Sequence, residues 1–413
     1  MVKFGTVVLK YGIRLQQRVA LAATHYKAPA QFTCASFLSM TPPRIQQSQE
    51  KIPPVKMRIC ITPHSLVAGD YNEARHLQDT SNPSSRSQRF NTAHHKRLEI
   101  LPVVSESNCF GHAQPPWTAY GYVLWQPLIA QSQGLRESHV VRIPGFLYED
   151  LMRCHAAWVA TNKFPPELIQ DTIQTWRNTK RGKAIIPILD GNRKWFIRLD
   201  QMSPKDSPFG GKEPSTTFKD VVRKICSSMR AWNSLQNERV DAEREGREMK
   251  IWLILNPWDE GMDAGREFRV FVPPPAARGV KDEIGQLRVS AVSQYRWPFV
   301  FSPPFNFPLE HAAELVCSGT NQLLETIKVF MERKMSPDIR RLLVKYGLTF
   351  DVALQQDGSV QLVEVNPFGA LSGCGGCLFN WVRDGRMLYG LEEDVEFAVT
   401  LDMAGDEAAV QVD

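Results

Sequence analysis

Glu364-Val365-Asn366-Pro367 closes a mostly apolar run that begins at Val360. In an extended strand, residues two apart point to the same face, so Glu364 and Asn366 stand together. A carboxylate and a carboxamide oxygen side by side are hard ligands, of the kind that hold Mg2+ next to a phosphate. Asp351 lies before the turn signal Gln356-Asp357-Gly358, and a tight hairpin across that turn brings it to the same place. The same spacing also describes a surface hairpin in which Asn366 caps a turn. Spacing alone leaves both readings open.

A second group is Arg266-Glu267-Phe268-Arg269-Val270-Phe271-Val272, where apolar and other positions alternate. Glu267 and Arg269 share a face. They either line a polar cleft, where an arginine grips phosphate oxygens with two donors at once, or form an exposed pair of little energetic value. Arg198 to Ser207 reads as a strand end followed by a polar turn, with Arg198 and Lys205 as cations for phosphates. The basic loop Pro208-Phe209-Gly210-Gly211-Lys212 lacks the Lys-Ser or Lys-Thr ending of a P-loop. Cys374-Gly-Gly-Cys377 suits a redox pair or half a zinc site. No second such pair follows, and His311 is the only histidine after His155. We therefore read its glycines as permitting a close turn and its cysteines as small buried side chains.

These groups need elements to hold them. Apolar runs predict strands at 56–62, 140–143, 195–199, 251–255, 268–272, 287–295, 342–352 and 360–365. Helical periodicity appears at 166–178, 215–235 and 309–330. Asp190-Gly191-Asn192 predicts a hairpin between 185–189 and 195–199. The charged stretch 237–249 reads as a surface loop or exposed helix, and residues 119–128 as an aromatic cluster. The pattern is α+β, without a repeat of fixed period.

The chain has 413 residues, 43% hydrophobic and 23% charged, which fits a soluble globular protein and excludes fibrous and wholly disordered classes. No apolar run approaches the roughly eighteen residues of a membrane span. Forty-nine basic residues against 44 acidic ones give a net charge of +5, too mild to argue for nucleic acid. Eight scattered cysteines fit a reducing compartment. The first acidic residue is Glu50; before it come Lys3, Lys10, Arg14, Arg18, Lys27 and Arg44. That segment reads either as a mitochondrial presequence or as a strand or tail through Val7, Val8 and Leu9. Residues 28–50 read as loop and 78–92 as disordered, and the acidic last residues as a solvated end.

Taken in order, these segments resemble the cell division cycle protein 123 family, a divergent ATP-grasp group. Glu267-Phe268-Arg269 resembles its Glu-Phe-Arg strand, and Ala291-Val292-Ser293-Gln294 its Ile-Ser-Gln segment. Ser203-Pro204-Lys205-Asp206 resembles the end of its Lys-Leu-Asn-Trp-Ser-Ala-Pro-Lys-Asp-Ala motif. Phe350-Asp351-Val352 and Val365-Asn366-Pro367-Phe368-Gly369 resemble its metal-binding hairpin. The likeness covers about residues 119–390. It implies a two-lobed, α+β, ATP-grasp-like fold with nucleotide between the lobes. Residues 1–118 are then a weakly ordered extension with room for short strands, 119–250 the N-terminal lobe, 251–390 the C-terminal lobe with the metal hairpin, and 391–413 an acidic tail. It implies ATP and Mg2+ as cofactors. Arg198, Lys205 and Arg269 would hold phosphates, Leu253, Leu255 and Trp258 would line the adenine pocket, and Asp351, Glu364 and Asn366 would hold the metal. It further implies a cytoplasmic factor that promotes assembly of eukaryotic translation initiation factor 2. The partner would resemble that factor's gamma subunit, with no direct nucleic acid and no membrane. A carboxylate-amine ligase working through an acyl phosphate and a nucleotide-free scaffold stand as alternatives, so enzymatic activity stays open. The chain departs from the family at Arg198, where the family has lysine, at Asp200-Gln201, where it has Asn-Trp, and at Glu364, where it usually has aspartate.

Overall fold

The computed structural model describes residues 56–79, 89–92, 95, 114–304 and 307–403. The basic segment before Glu50, the loop at 28–50 and most of 78–92 lie outside the described residues, and so do the readings made on them.

Among the described residues, ten strands divide between two open sheets. The smaller contains β2 (His139–Ile143), β3 (Asp190–Leu199), β4 (Ser215–Thr217) and β5 (Ile251–Pro257), in the order β2-β5-β3-β4 and antiparallel throughout. The larger contains β1 (Met57–Pro63), β6 (Glu267–Val272), β7 (Ala291–Gln294), β8 (Leu348–Leu354), β9 (Val360–Pro367) and β10 (Val395–Leu401), in the order β1-β10-β7-β6-β8-β9. Its β1, β10 and β7 run parallel to one another, and β7, β6, β8 and β9 alternate in direction. The two-lobed α+β expectation holds.

Each sheet buries one apolar face against helices. In the small lobe, Ile197, Leu199, Leu253 and Leu255 pack with Leu151, Ile173 and Val222, which come from helices Leu147–Thr161, Pro166–Arg177 and Phe218–Ser227. Phe218–Ser227 starts on a capping box: Thr217 accepts from the Asp220 N–H while the Asp220 carboxylate accepts from the Thr217 N–H. In the large lobe, Phe268, Val270, Phe350 and Val352 pack against helix Leu309–Lys334. Helix Tyr122–Ser132 joins this second core through Tyr122, Trp125, Leu128 and Ile129.

Several boundaries differ from expectation. Met57–Pro63 and Val395–Leu401, read as parts of an extension and an acidic tail, are neighbouring strands of the large sheet. Arg58 lies opposite Glu396 there and donates to its carboxylate. Charge dominated the reading of 391–413, whereas the buried alternation Val395, Phe397, Val399 decides the structure. The strand Ile251–Pro257, expected in the C-terminal lobe, belongs to the small sheet, while Tyr122–Ser132, expected in the N-terminal lobe, packs on the large one. Residues 342–346 end the helix Pro337–Tyr346, and the strand starts at Leu348 after Gly347. The expected hairpin at Asp190 is absent: Lys180–Ile185 is helical, and β3 pairs with β4 and β5. A local turn signal lost to partners distant in sequence. Among the described residues no helix is long and apolar enough to cross a membrane.

Gly347 makes the helix-to-strand turn before β8 at φ +71°, and a Cβ there would stand 2.6 Å from the Val272 carbonyl oxygen. Its own carbonyl accepts from the Tyr120 hydroxyl at 2.7 Å. Gly347→Ala is expected to lower unfolding stability by about 1–3 kcal/mol in denaturant titration, because the strain enters beside the pairing of β8 with β6.

Candidate functional site

The strand register lines up one row of side chains. Arg269 on β6 lies opposite Asp351 on β8, and Asp351 lies opposite Glu364 on β9. A bulge in β9 places Glu364 against Asp351 and Leu362 against Val352, leaving Val363 as the extra residue. Leu362 and Val365, an odd number of positions apart, therefore both reach the core while Glu364 and Asn366 face away from it. Without the bulge, Leu362 and Glu364 would share a face.

Arg269 donates from Nε to Asp351 Oδ1 and from Nη2 to Asp351 Oδ2, each at 2.8 Å. Its Nη1 donates to the Gly375 carbonyl at 2.9 Å. The Asn366 amide donates to Glu364 Oε1 at 3.1 Å and to Asp351 Oδ2 at 3.3 Å. From the small sheet, Arg198 of β3 reaches across to β9 and donates from Nη1 to Glu364 Oε2 at 2.8 Å. Its guanidinium carbon lies 4.0 Å from the Tyr122 ring centroid. Arg198 takes this direction because Trp195, Ile197 and Leu199 alternate into the small core. The end of β3 is also tied to helix Tyr122–Ser132: Asp200 accepts from the Val123 N–H at 2.7 Å, and its carbonyl from the Tyr122 N–H at 3.0 Å.

Lys205 and Glu267 complete the polar face. The Lys205 ammonium lies 5.8 Å from the Tyr295 ring centroid and the Arg269 guanidinium 5.1 Å from it. Gly211 lets the basic loop fold back against this turn, since a Cβ there would meet the Pro204 and Lys205 carbonyl oxygens at 2.6 and 2.7 Å. Glu267 is 7% exposed, and its Oε1 has no hydrogen-bond partner.

Burial raises the Glu267 carboxyl to about 7; Lys205 opposes the rise, and Asp351 and Glu364 add to it. Burial likewise pushes Asp351 up to about 6 against the pull of Arg269. Glu364 goes the other way. Burial works against its charge, but Arg198, Lys205 and the Asn366 amide together hold its carboxyl well below the usual carboxylate range. Glu267 and Asp351 are thus both raised and Glu364 is lowered, although all three lie on one face.

The residues expected at a metal, Asp351, Glu364 and Asn366, come together, and so do the expected phosphate cations Arg198, Lys205 and Arg269. Leu253 and Leu255 do not join them. Both are fully buried in the small-lobe core, on the face of β5 away from Arg198. The residue opposite Arg198 is Ile254, and Asn256 on the same face donates to the Tyr122 hydroxyl at 2.7 Å. A continuous apolar run carries no sign of which face meets the cleft. Trp258 is half-buried just past β5, with its N–H on the Lys194 carbonyl at 2.9 Å. Tyr122 and Tyr295, whose rings lie beside the cations, had no signal in the sequence that set them apart from core aromatics. Glu267 had one: it stands two positions before Arg269 in the same strand.

The Cys374 and Cys377 thiols are raised by burial to about 11 and about 12, which leaves them protonated at neutral pH. Their segment serves the site through its backbone, with Gly375 capping Arg269. Among the described residues no group of three or more His, Cys, Asp and Glu side chains is placed to hold a metal ion. The oxygen donors of Asp351, Glu364 and Asn366 suit a hard divalent cation in kind, but their carboxylates now face guanidinium groups.

No family model and no curated protein matches the chain. Among solved structures it is similar to Cdc123 from Schizosaccharomyces pombe, at 20% identity, over 69% of this chain and 96% of that one, with a TM-score of 0.44. It is also similar to D-alanine-D-alanine ligase from Aeromonas hydrophila, at 12% identity, over 67% of this chain and 62% of that one, with a TM-score of 0.29. A third is the C-terminal domain of K. lactis Pby1, an ATP-grasp enzyme that interacts with the mRNA decapping enzyme Dcp2, at 12% identity, over 80% and 90%, with a TM-score of 0.21.

Two outcomes follow from the buried charges. Asp351→Ala strands Arg269 in the interior and is expected to cost about 3–5 kcal/mol of stability in chemical denaturation. Glu267 binds its proton more tightly folded than unfolded, because its carboxyl sits near 7 in the fold and near the ordinary glutamate value outside it. Its contribution to stability therefore falls as pH rises from about 4 to 7, and stays lost above that. Glu267→Gln is expected to melt close to wild type at pH 5 and higher than wild type at pH 8.

Proposed function

We propose that the chain binds ATP together with Mg2+ between its two sheets and acts as an ATP-dependent assembly factor for a protein complex. The observation that carries this reading is the convergence of Arg198 from one sheet with Arg269, Asp351, Glu364 and Asn366 from the other, all on one buried polar face. Two arginines and Lys205 supply cations for a polyphosphate, with Arg198 and Arg269 able to present two donors each. Asp351, Glu364 and Asn366 would hold the magnesium, which supplies positive charge to phosphate oxygens when bound. The buried setting strengthens each of these contacts relative to water. The motif resemblance to the cell division cycle protein 123 family supports the protein-assembly role and a partner like the gamma subunit of translation initiation factor 2.

Glu267 favours a second reading, an ATP-grasp carboxylate-amine ligase. Its carboxyl, near 7, is poised to exchange a proton at neutral pH, as an acceptor for an attacking amine must.

Calorimetric titration of Mg-ATP into the purified chain tests the reading. Arg198→Ala is expected to weaken binding by roughly ten- to over a hundred-fold, since a hydrogen bond to a charged group is worth about 1.5–3 kcal/mol. Arg198→Lys is expected to recover much of the loss, because it retains the charge. Unchanged affinity in a folded Arg198→Ala would remove the cleft from consideration, and no binding by wild type would leave the nucleotide-free scaffold.

A further inference from the structure

The groups suited to a ligand here are already satisfied by one another. Glu364 gives Oε2 to Arg198 at 2.8 Å and Oε1 to the Asn366 amide at 3.1 Å. Asp351 gives both oxygens to Arg269. Arg198 and Arg269 are each 6% exposed and Asp351 is 0% exposed, while the Glu364 side chain is 16% exposed, so an unpaired charge is costly in both pairs and most costly at Asp351. A polyphosphate arriving alone must take an arginine from a carboxylate and leave that carboxylate without its hydrogen-bonded counter-charge; Glu364 would then keep only the field of Lys205, with which it shares no hydrogen bond. A polyphosphate that carries a divalent cation brings the replacement with it.

The two pairs are unequal. Arg269 and Asp351 are direct neighbours in one sheet, joined by two parallel hydrogen bonds, and Nη1 of Arg269 is held by the Gly375 carbonyl. Arg198 and Glu364 come from different sheets and share one hydrogen bond. Arg198 also donates to the Leu199 carbonyl at 3.2 Å and lies over the Tyr122 ring, and the Asp200 carboxylate acts on it through charge alone, without a hydrogen bond. The exchange therefore runs through Arg198 and Glu364, with Arg269 and Asp351 as the fixed frame.

We propose that Glu364 occupies the place of a phosphate oxygen on Arg198 and yields it only to a metal–polyphosphate complex, so that the cleft selects the complex over the metal-free polyphosphate. This rests on the nucleotide reading above. With Arg198 turned to phosphate, the Glu364 carboxylate and the Asn366 amide oxygen would be the groups to hold a divalent cation, which would supply the positive charge that Glu364 loses. The same event removes a direct ion pair between the two sheets. Glu364 is then both a ligand and a barrier. Neutralising it has opposite effects with and without metal, which a residue that only supports the fold would not produce.

The probe is inorganic tripolyphosphate, titrated by calorimetry into the full chain, once in EDTA and once with Mg2+. In EDTA, wild type is expected to bind weakly and Glu364→Gln about tenfold or more tightly, because Arg198 is released without leaving a buried anion. The double variant Arg198→Gln with Glu364→Gln is expected to lose that gain. With Mg2+ the order inverts, and Glu364→Gln falls below wild type. Melting curves establish that each variant is folded. Should Glu364→Gln not fold, Glu364→Asp shortens the reach to Arg198 and carries the same test with a smaller gain. Equal or weaker metal-free binding by the folded variant, with wild type still binding Mg-ATP, overturns the exchange alone. Failure of wild type to bind Mg-ATP or Mg-tripolyphosphate overturns the nucleotide reading, and the exchange with it.

Discussion

A buried arginine must find its counter-charge, and Arg269 finds it in Asp351 directly across the sheet. That pair sits at the centre of the polar face, and what surrounds it follows from its demand for partners. Asp351 accepts from Nε and Nη2 of Arg269, so Nη1 also needs an acceptor, and the Gly375 carbonyl supplies one. The segment from Gly369 to Trp381 is thereby tied to the face. Its packing fits the role: Phe271, two positions after Arg269 in β6, meets Phe379 and Trp381 edge-on at 5.7 and 5.4 Å. One face of the large sheet is thus half polar row and half aromatic floor.

The row also links the sheets. Glu364 is held from one side by Asn366 and from the other by Arg198, which belongs to the small sheet. Two departures from the family that the sequence resembles are therefore in contact with each other. Arg198, read from the sequence in place of the family's lysine, touches Glu364, read in place of its usual aspartate. A longer carboxylate arm and a broad guanidinium together span the distance between β9 and β3. Glu267 is the group this arrangement leaves incomplete. An orphaned buried oxygen lowers stability and suits chemistry, which is why such groups recur at functional sites.

Helix Tyr122–Ser132 precedes the small sheet in the chain but packs on the large one. Its start is pinned to Asp200 at the end of β3, and its far end reaches β9, where Gln133 donates to the Leu362 carbonyl and Ser132 accepts from the Leu362 N–H. The bulged edge strand is thus covered at Leu362, where both backbone groups are satisfied by the end of the helix. The helix that supplies the Tyr122 ring to Arg198 also holds the strand that bears Glu364.

The sequence by itself determined the local facts. Alternation in β6 put Glu267 and Arg269 on one face, period two put Glu364 beside Asn366, and the Gln356-Asp357-Gly358 turn paired β8 with β9. These depend on neighbours in the chain, where periodicity and turn chemistry act. Tertiary structure decided the rest. Leu253 and Leu255 read like any buried strand, and only the pairing of β5 with β3 and β2 turned them into the small core and Ile254 toward the other lobe. The inclusion of Val395–Leu401 in the large sheet beside Met57–Pro63 and the reach of Arg198 to Glu364 each join segments far apart in sequence, and the bulge at Val363, though local, left no mark in the apolar pattern. Hydrophobic burial favours any partner that fits, so an apolar strand announces that it will be covered. What covers it, and which charges end up facing each other, depends on how the whole chain closes.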